Sequence, residues 1–128
     1  NERPPLKFKQ GGMTALDLLQ VARLAAIAAD EKKGHRTVIL DIQGLSVIAD
    51  YFVITSGHSE KQVQAIATSV KDSLQKADIP IRGMEGYEQG RWVLIDVGDV
   101  VVHVFHRDER DFYDLERLWG DAKTCEVQ

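Results

Sequence analysis

The side chains in this chain whose type and spacing could do chemistry are three aspartates, two histidines, a serine-flanked glycine turn and a tryptophan. Asp41 closes one β-branched run, while Asp96 and Asp99 flank Gly98 in another. Carboxylates at strand ends are what a nucleotidyl- or phosphoryl-transfer site uses to hold divalent metal. The spacing argues against it here. Residues of one strand share a face only at even separation, and Asp96 and Asp99 lie three apart across a turn that favours aspartate in its own right. Ser56-Gly57-His58-Ser59 leads from a strand pattern into a helix pattern, where backbone N–H groups can hold phosphate. It lacks the glycine spacing and lysine of a P-loop, and Gly57 making the turn with Ser59 capping the helix accounts for it. His103 and His106 point to opposite faces if their strand continues, with no third metal ligand nearby. No nucleophile is paired with a base in any motif, so the residues define no catalytic set, no metal site and no cofactor. Trp92 is different. It follows the polar turn Glu88-Gln89-Gly90-Arg91 and so sits near a strand rim. Core packing would explain it, but Trp and Arg are also the residues that most often dominate protein interfaces.

These residues must be positioned by a small α/β framework. The run from Trp92 to Phe105 predicts a hairpin joined at Gly98-Asp99, with glycine supplying positive φ. In that register Val97, Ile95 and Val93 oppose Val100, Val102 and Val104 on a wholly apolar face. The other face pairs Asp96 with Val101, Leu94 with His103 and Trp92 with Phe105. Ahead of the hairpin, a first helix is predicted to begin near Thr14, with Asp17 in its first turn, and to stop at Gly34. Residues 38–42 and 51–55 predict strands, and the connection at 43–50, with Leu45, Val47 and Ile48, is expected to pack down. Ser59 and Gln62 form a capping box for a second helix ending before Pro80. A short strand is expected over 81–85, and a terminal helix should carry Phe112, Leu115, Leu118 and Trp119 on one side. The sum is one α/β domain with a five-stranded, mostly mixed sheet flanked by helices.

Composition bounds the function. At 128 residues the chain can build one domain with a core, and its net charge of −4 disfavours a protein that grips nucleic acid through phosphates. No sequence-specific nucleic-acid contact is expected. A lone Cys125 suits a reducing cytoplasm, and no apolar run is long enough to cross a membrane. Residues 1–12, with two prolines and a closing Gly-Gly, are expected to be a flexible or vector-derived tail. The domain is expected over 13–121, with a flexible C-terminal tail at 122–128.

Several stretches resemble the ribosomal silencing factor family, also called Iojap-like. They are Asp41-Ile42-Gln43-Gly44-Leu45-Ser46, Ile48-Ala49-Asp50-Tyr51-Phe52-Val53-Ile54, Ser56-Gly57-His58-Ser59, Gln62-Val63, Glu85-Gly86, the hairpin from Trp92 to Phe105, and Arg110-Asp111-Phe112-Tyr113-Asp114-Leu115-Glu116-Arg117-Leu118-Trp119. The resemblance implies a nucleotidyltransferase-like fold without the catalytic acids. It further implies a repressor of translation that binds a basic large-subunit ribosomal protein at the inter-subunit face and blocks joining of the small subunit. A cytoplasmic bacterial form is expected, because the targeting segments of organellar members are not seen. The family's docking surface includes a hairpin Trp, here Trp92. Leu94, Asp96 and His103 join it by the same-face argument, and Arg91 and Glu85 by proximity. The half-apolar hairpin face is also compatible with a homodimer. Two other classes remain open: a residual nucleotidyltransferase-like enzyme using Asp41, Asp96 and Asp99, and a nucleotide-binding regulator using the helix start at Ser56-Gly57.

Overall fold

The computed structural model describes residues 17–128. The expectations for Thr14 and for the tail at 1–12 fall outside them. The elements run α1 (Leu18–Glu31), β1 (His35–Asp41), β2 (Tyr51–Gly57), α2 (Glu60–Lys76), β3 (Gly83–Glu85), β4 (Trp92–Asp96), β5 (Val100–His106), α3 (Arg107–Tyr113), α4 (Leu115–Leu118) and β6 (Lys123–Cys125). The sheet has six strands, in the order β3-β4-β5-β2-β1-β6, and not the predicted five. The extra strand comes from residues expected in the C-terminal tail. Lys123–Cys125 is too short and too polar to carry a period, yet it pairs antiparallel with Ile39–Asp41 at the sheet edge. Only the central pair, β2 and β5, is parallel; the other pairings are antiparallel, so the sheet is mixed.

The hairpin register is as predicted. Trp92 faces Phe105, Val93 faces Val104, Leu94 faces His103, Ile95 faces Val102 and Asp96 faces Val101. Gly98 takes a φ of 88°, open to glycine at little cost, and the Val97 N–H donates to the Val100 carbonyl at 2.9 Å.

Both long helices lie on one face of the sheet. Val21, Ala22, Ala25 and Ala29 of α1 and Val63, Ile66, Val70 and Leu74 of α2 bury Val53, Val93, Ile95, Val100, Val102 and Val104. Asp17 caps α1, its Oδ1 accepting the Leu19 N–H at 3.0 Å, so it stands at the N-cap and not in the first turn. At the other end the left-handed residue is Lys33 (φ 64°), with Lys33 N–H donating to the Asp30 carbonyl and Gly34 N–H to the Ala29 carbonyl. Gly34 is needed for a different reason: a Cβ there would fall 2.4 Å from Thr55 Oγ1. The Ser59–Gln62 capping box forms as predicted. Ser59 Oγ accepts the Gln62 N–H, and Gln62 Oε1 accepts the His58 N–H. Gly57 ends β2 and does not make a turn; a Cβ would meet the backbone nitrogen of Val63 at 3.1 Å.

The terminal helix is broken. Asp114 adopts φ 50°, ψ 56°, which splits the segment into α3 and α4. The break shifts the helical phase, so Leu115 and Trp119 pack on the sheet while Phe112 and Leu118 face solvent, against the single stripe expected. Arg110 fixes this segment from inside. Its Nη1 donates to the His35 carbonyl (2.8 Å) and Ser56 Oγ (3.1 Å), and its Nε and Nη2 donate to Glu116 Oε2.

Candidate docking face

The second sheet face carries the candidate residues. Alternation along β4 sends Val93 and Ile95 toward the helices and Trp92, Leu94 and Asp96 to the opposite side; along β5 it sends Val101, His103 and Phe105 there too. Register then builds rows across the strands. Leu94, His103 and Ile54 lie level, and so do Asp96, Val101 and Phe52. Leu115, Trp119 and Ala122 cover the β1–β2 half of this face. The β4–β5 half retains a groove of about 350 Å³ lined by Ile48, Phe52, Arg82, Leu94, Asp96, Gly98, Val101 and His103.

Trp92 is half-buried, between core and rim. Its ring lies 4.8 Å from Phe105 and 4.7 Å from Tyr113, and its Nε1 donates to His103 Nδ1 at 3.1 Å. His103 is only 5% exposed, deeper than a partner-facing residue should be. Burial drives its pKa down to about 4, so the ring is neutral at pH 7 and, with Nδ1 accepting, carries its proton on Nε2. That nitrogen is buried with no hydrogen-bond partner among the described residues. Phe52 stands edge-on to the imidazole at 4.6 Å.

Asp96 has a local duty: Oδ1 accepts the Gly98 N–H at 2.8 Å and holds the hairpin turn. Glu85 is exposed on edge strand β3, level with Leu94. Arg91 is drawn elsewhere. Its guanidinium pairs with Glu109 of α3 at 2.7 Å and Glu60 of α2 at 3.6 Å, and the Glu109 contact raises its pKa. The face thus gathers Trp92, Leu94, Asp96 and His103, with Glu85 beside them and Arg91 tied to the helices.

The connection at 43–50 does not pack down as expected. Ile42 and Ala49 are buried, but Leu45, Val47 and Ile48 are exposed, Val47 to 96%, and Ile48 rims the groove. An isolated bridge between Gln43 and Ser46, with Gly44 at φ 80°, makes a tight turn that turns these side chains outward. Three apolar side chains in an exposed loop are an interaction signal that a short apolar run, read as packing, conceals.

Among the described residues no three His, Cys, Asp or Glu side chains are grouped to hold a metal ion. The Ser56–Ser59 segment is occupied by its own caps, and Ser56 Oγ by Arg110 and the His35 carbonyl.

The geometry defines an α/β domain that buries one sheet face under helices and leaves half of the other as an apolar, partly polar-lined surface. Comparison with known proteins gives it a family. The model of the family described as ribosomal silencing factor during starvation matches residues 15–128. The ribosomal silencing factor of Halalkalibacterium halodurans is 57% identical over 91% of this chain and 97% of its own length. That of Bacillus subtilis is 50% identical over 84% of this chain and 91% of its own. A crystal structure of a Chromobacterium violaceum protein superposes with a TM-score of 0.80 at 41% identity, covering 82% of this chain and 88% of that one. The chain belongs to the ribosomal silencing factor family.

Proposed function

We propose that this protein represses translation by docking on the large ribosomal subunit, against a basic ribosomal protein at the inter-subunit face, and so blocking the small subunit from joining. The observation that carries the reading is the half-open sheet face, where the family's hairpin Trp lies beside an apolar groove and the exposed Val47 and Ile48. A net charge of −4 suits a basic partner. On this reading the protein is a non-enzymatic factor that works in the cytoplasm without cofactor or metal. Among the described residues no helix is long and apolar enough to cross a membrane. Self-association through the same face would compete with docking.

Co-sedimentation with separated ribosomal subunits tests this. Recovery with large subunits and not small ones is expected, through an interface burying on the order of 1,200–2,000 Å². Equal recovery with both, or with neither, overturns it. Calorimetry with nucleotides and Mg²⁺ should give no saturable heat; micromolar binding lost in Asp96→Asn would favour the nucleotidyltransferase-like alternative.

A further inference from the structure

We infer that His103, nearly buried at the wall of the groove, is a positioning residue for docking: it holds the Trp92 indole in its docking orientation by accepting the indole N–H. The inference rests on the reading of Trp92 as a docking anchor. Three observations carry it. The Nε1–Nδ1 hydrogen bond, 3.1 Å long, ties the polar end of the indole inward to the neighbouring strand. His103 is nearly fully buried, walled by Phe52, Phe105 and Trp92 with ring centroids 4.6, 6.1 and 6.0 Å away, so its reach to a partner is small. Its other nitrogen is buried with no partner among the described residues, a cost to folding that leucine or valine at this place in a valine-rich strand would avoid. A polar group that costs stability and makes one hydrogen bond, to one half-buried aromatic ring, has its use in that ring's placement. Phe105 and Tyr113 pack against the indole at tilted angles of 33° and 47°, contacts without direction that allow it to slide; the hydrogen bond fixes its rotation.

The test uses the full chain and large ribosomal subunits of Bacillus subtilis. His103→Leu removes the acceptor, His103→Asn restores one, because Asn Oδ1 occupies the position of Nδ1, and Trp92→Phe removes the donor. His103→Leu is expected to weaken docking by about tenfold while its urea midpoint holds or rises. His103→Asn is expected to recover to within about threefold of the parent, and His103→Leu to add less than about twofold in the Trp92→Phe background. In a Trp119→Phe background, Trp92 emission should shift with His103→Leu and return with His103→Asn. An unshifted emission, no recovery with Asn, or the same loss in both backgrounds would overturn the inference while leaving the docking reading intact. Full affinity in Trp92→Phe and Trp92→Ala removes the anchor, and the inference with it. No binding by the parent chain overturns the proposed function.

Discussion

At the residue scale, the docking candidates were legible because a two-residue turn sets register, and register sets faces. Once Gly98-Asp99 is taken as the turn, Trp92, Leu94, Asp96 and His103 must share a side, and they do. Depth was not legible, since alternation says which face a side chain takes and nothing of what lies over it. That is why the sequence leaves His103 either packed or facing a partner, and the fold buries it. Its low pKa yields a pH prediction. The unfolded imidazole titrates near 6.5 and the folded one near 4, so the unfolded state binds more protons between those values. Stability is therefore full above pH 6.5 and falls toward pH 4, by up to roughly 3 kcal/mol from this group. Urea midpoints at pH 7.5 and 5 should differ more for the parent than for His103→Leu; equal differences would sink the assignment. Trp92→Ala should weaken docking by about 2–4 kcal/mol. Its stability loss should stay below the ~2–5 kcal/mol expected for Ile54→Ala in the buried core, because the indole is only partly enclosed.

At the element scale, the long helices and the four longer strands carry periods and caps that can be read directly, whereas the segment after β5 does not. Its two short helices depend on a left-handed Asp114 and on Arg110, whose partners lie up to 75 residues away in sequence. Nothing local announces such contacts. The Arg110 side chain is 1% exposed, so its cation depends on Glu116, itself partly exposed, as counter-charge. Burial works against the Glu116 carboxylate, but its hydrogen bonds and attraction to Arg110 outweigh that and lower its pKa. Glu116→Ala should cost about 2–3 kcal/mol, discounted for the partial exposure of Glu116, by leaving that cation unpaired. Glu116→Gln, which keeps an acceptor, should cost less. Chemical denaturation of the three proteins orders them, and a neutral Glu116→Ala would show that the pair does not hold α3–α4 in place. β6 yields a second expectation. Deleting residues 123–128 removes its pairing with β1, the packing of Val127 and the bond from Arg23 Nε to the Glu126 carbonyl, at a cost of about 2–3 kcal/mol. A flexible tail would be lost without effect.

At the scale of the whole molecule, the division of labour between the two sheet faces follows from where the chain spends its helices. α1 and α2, of 14 and 17 residues, both go to one face, leaving the short α3 and α4 to cover the other. Tyr113 of α3 reaches Trp92 at the start of β4, but neither helix lines the far end of that strand, so the groove beside Leu94 and the loop carrying Ile48 stay open. If docking uses that opening, affinity should be sensitive to one side of the protein and indifferent to its opposite. Ile48→Asp places a charge in an apolar groove at a residue already 67% exposed, so folding should change by less than about 0.5 kcal/mol. Docking should weaken by tenfold or more, because a partner covering the groove would have to desolvate that carboxylate. Lys71→Ala, on α2 behind the sheet, should leave docking within about twofold. The charge balance adds a kinetic signature. Attraction between an acidic factor and a basic partner acts mainly during encounter, so raising salt from 50 to 300 mM should lower the association rate and change the dissociation rate little. Surface-immobilised large subunits would measure both. If Lys71→Ala proved as damaging as Ile48→Asp, or salt acted mainly on dissociation, the docking surface would lie outside this half-open face.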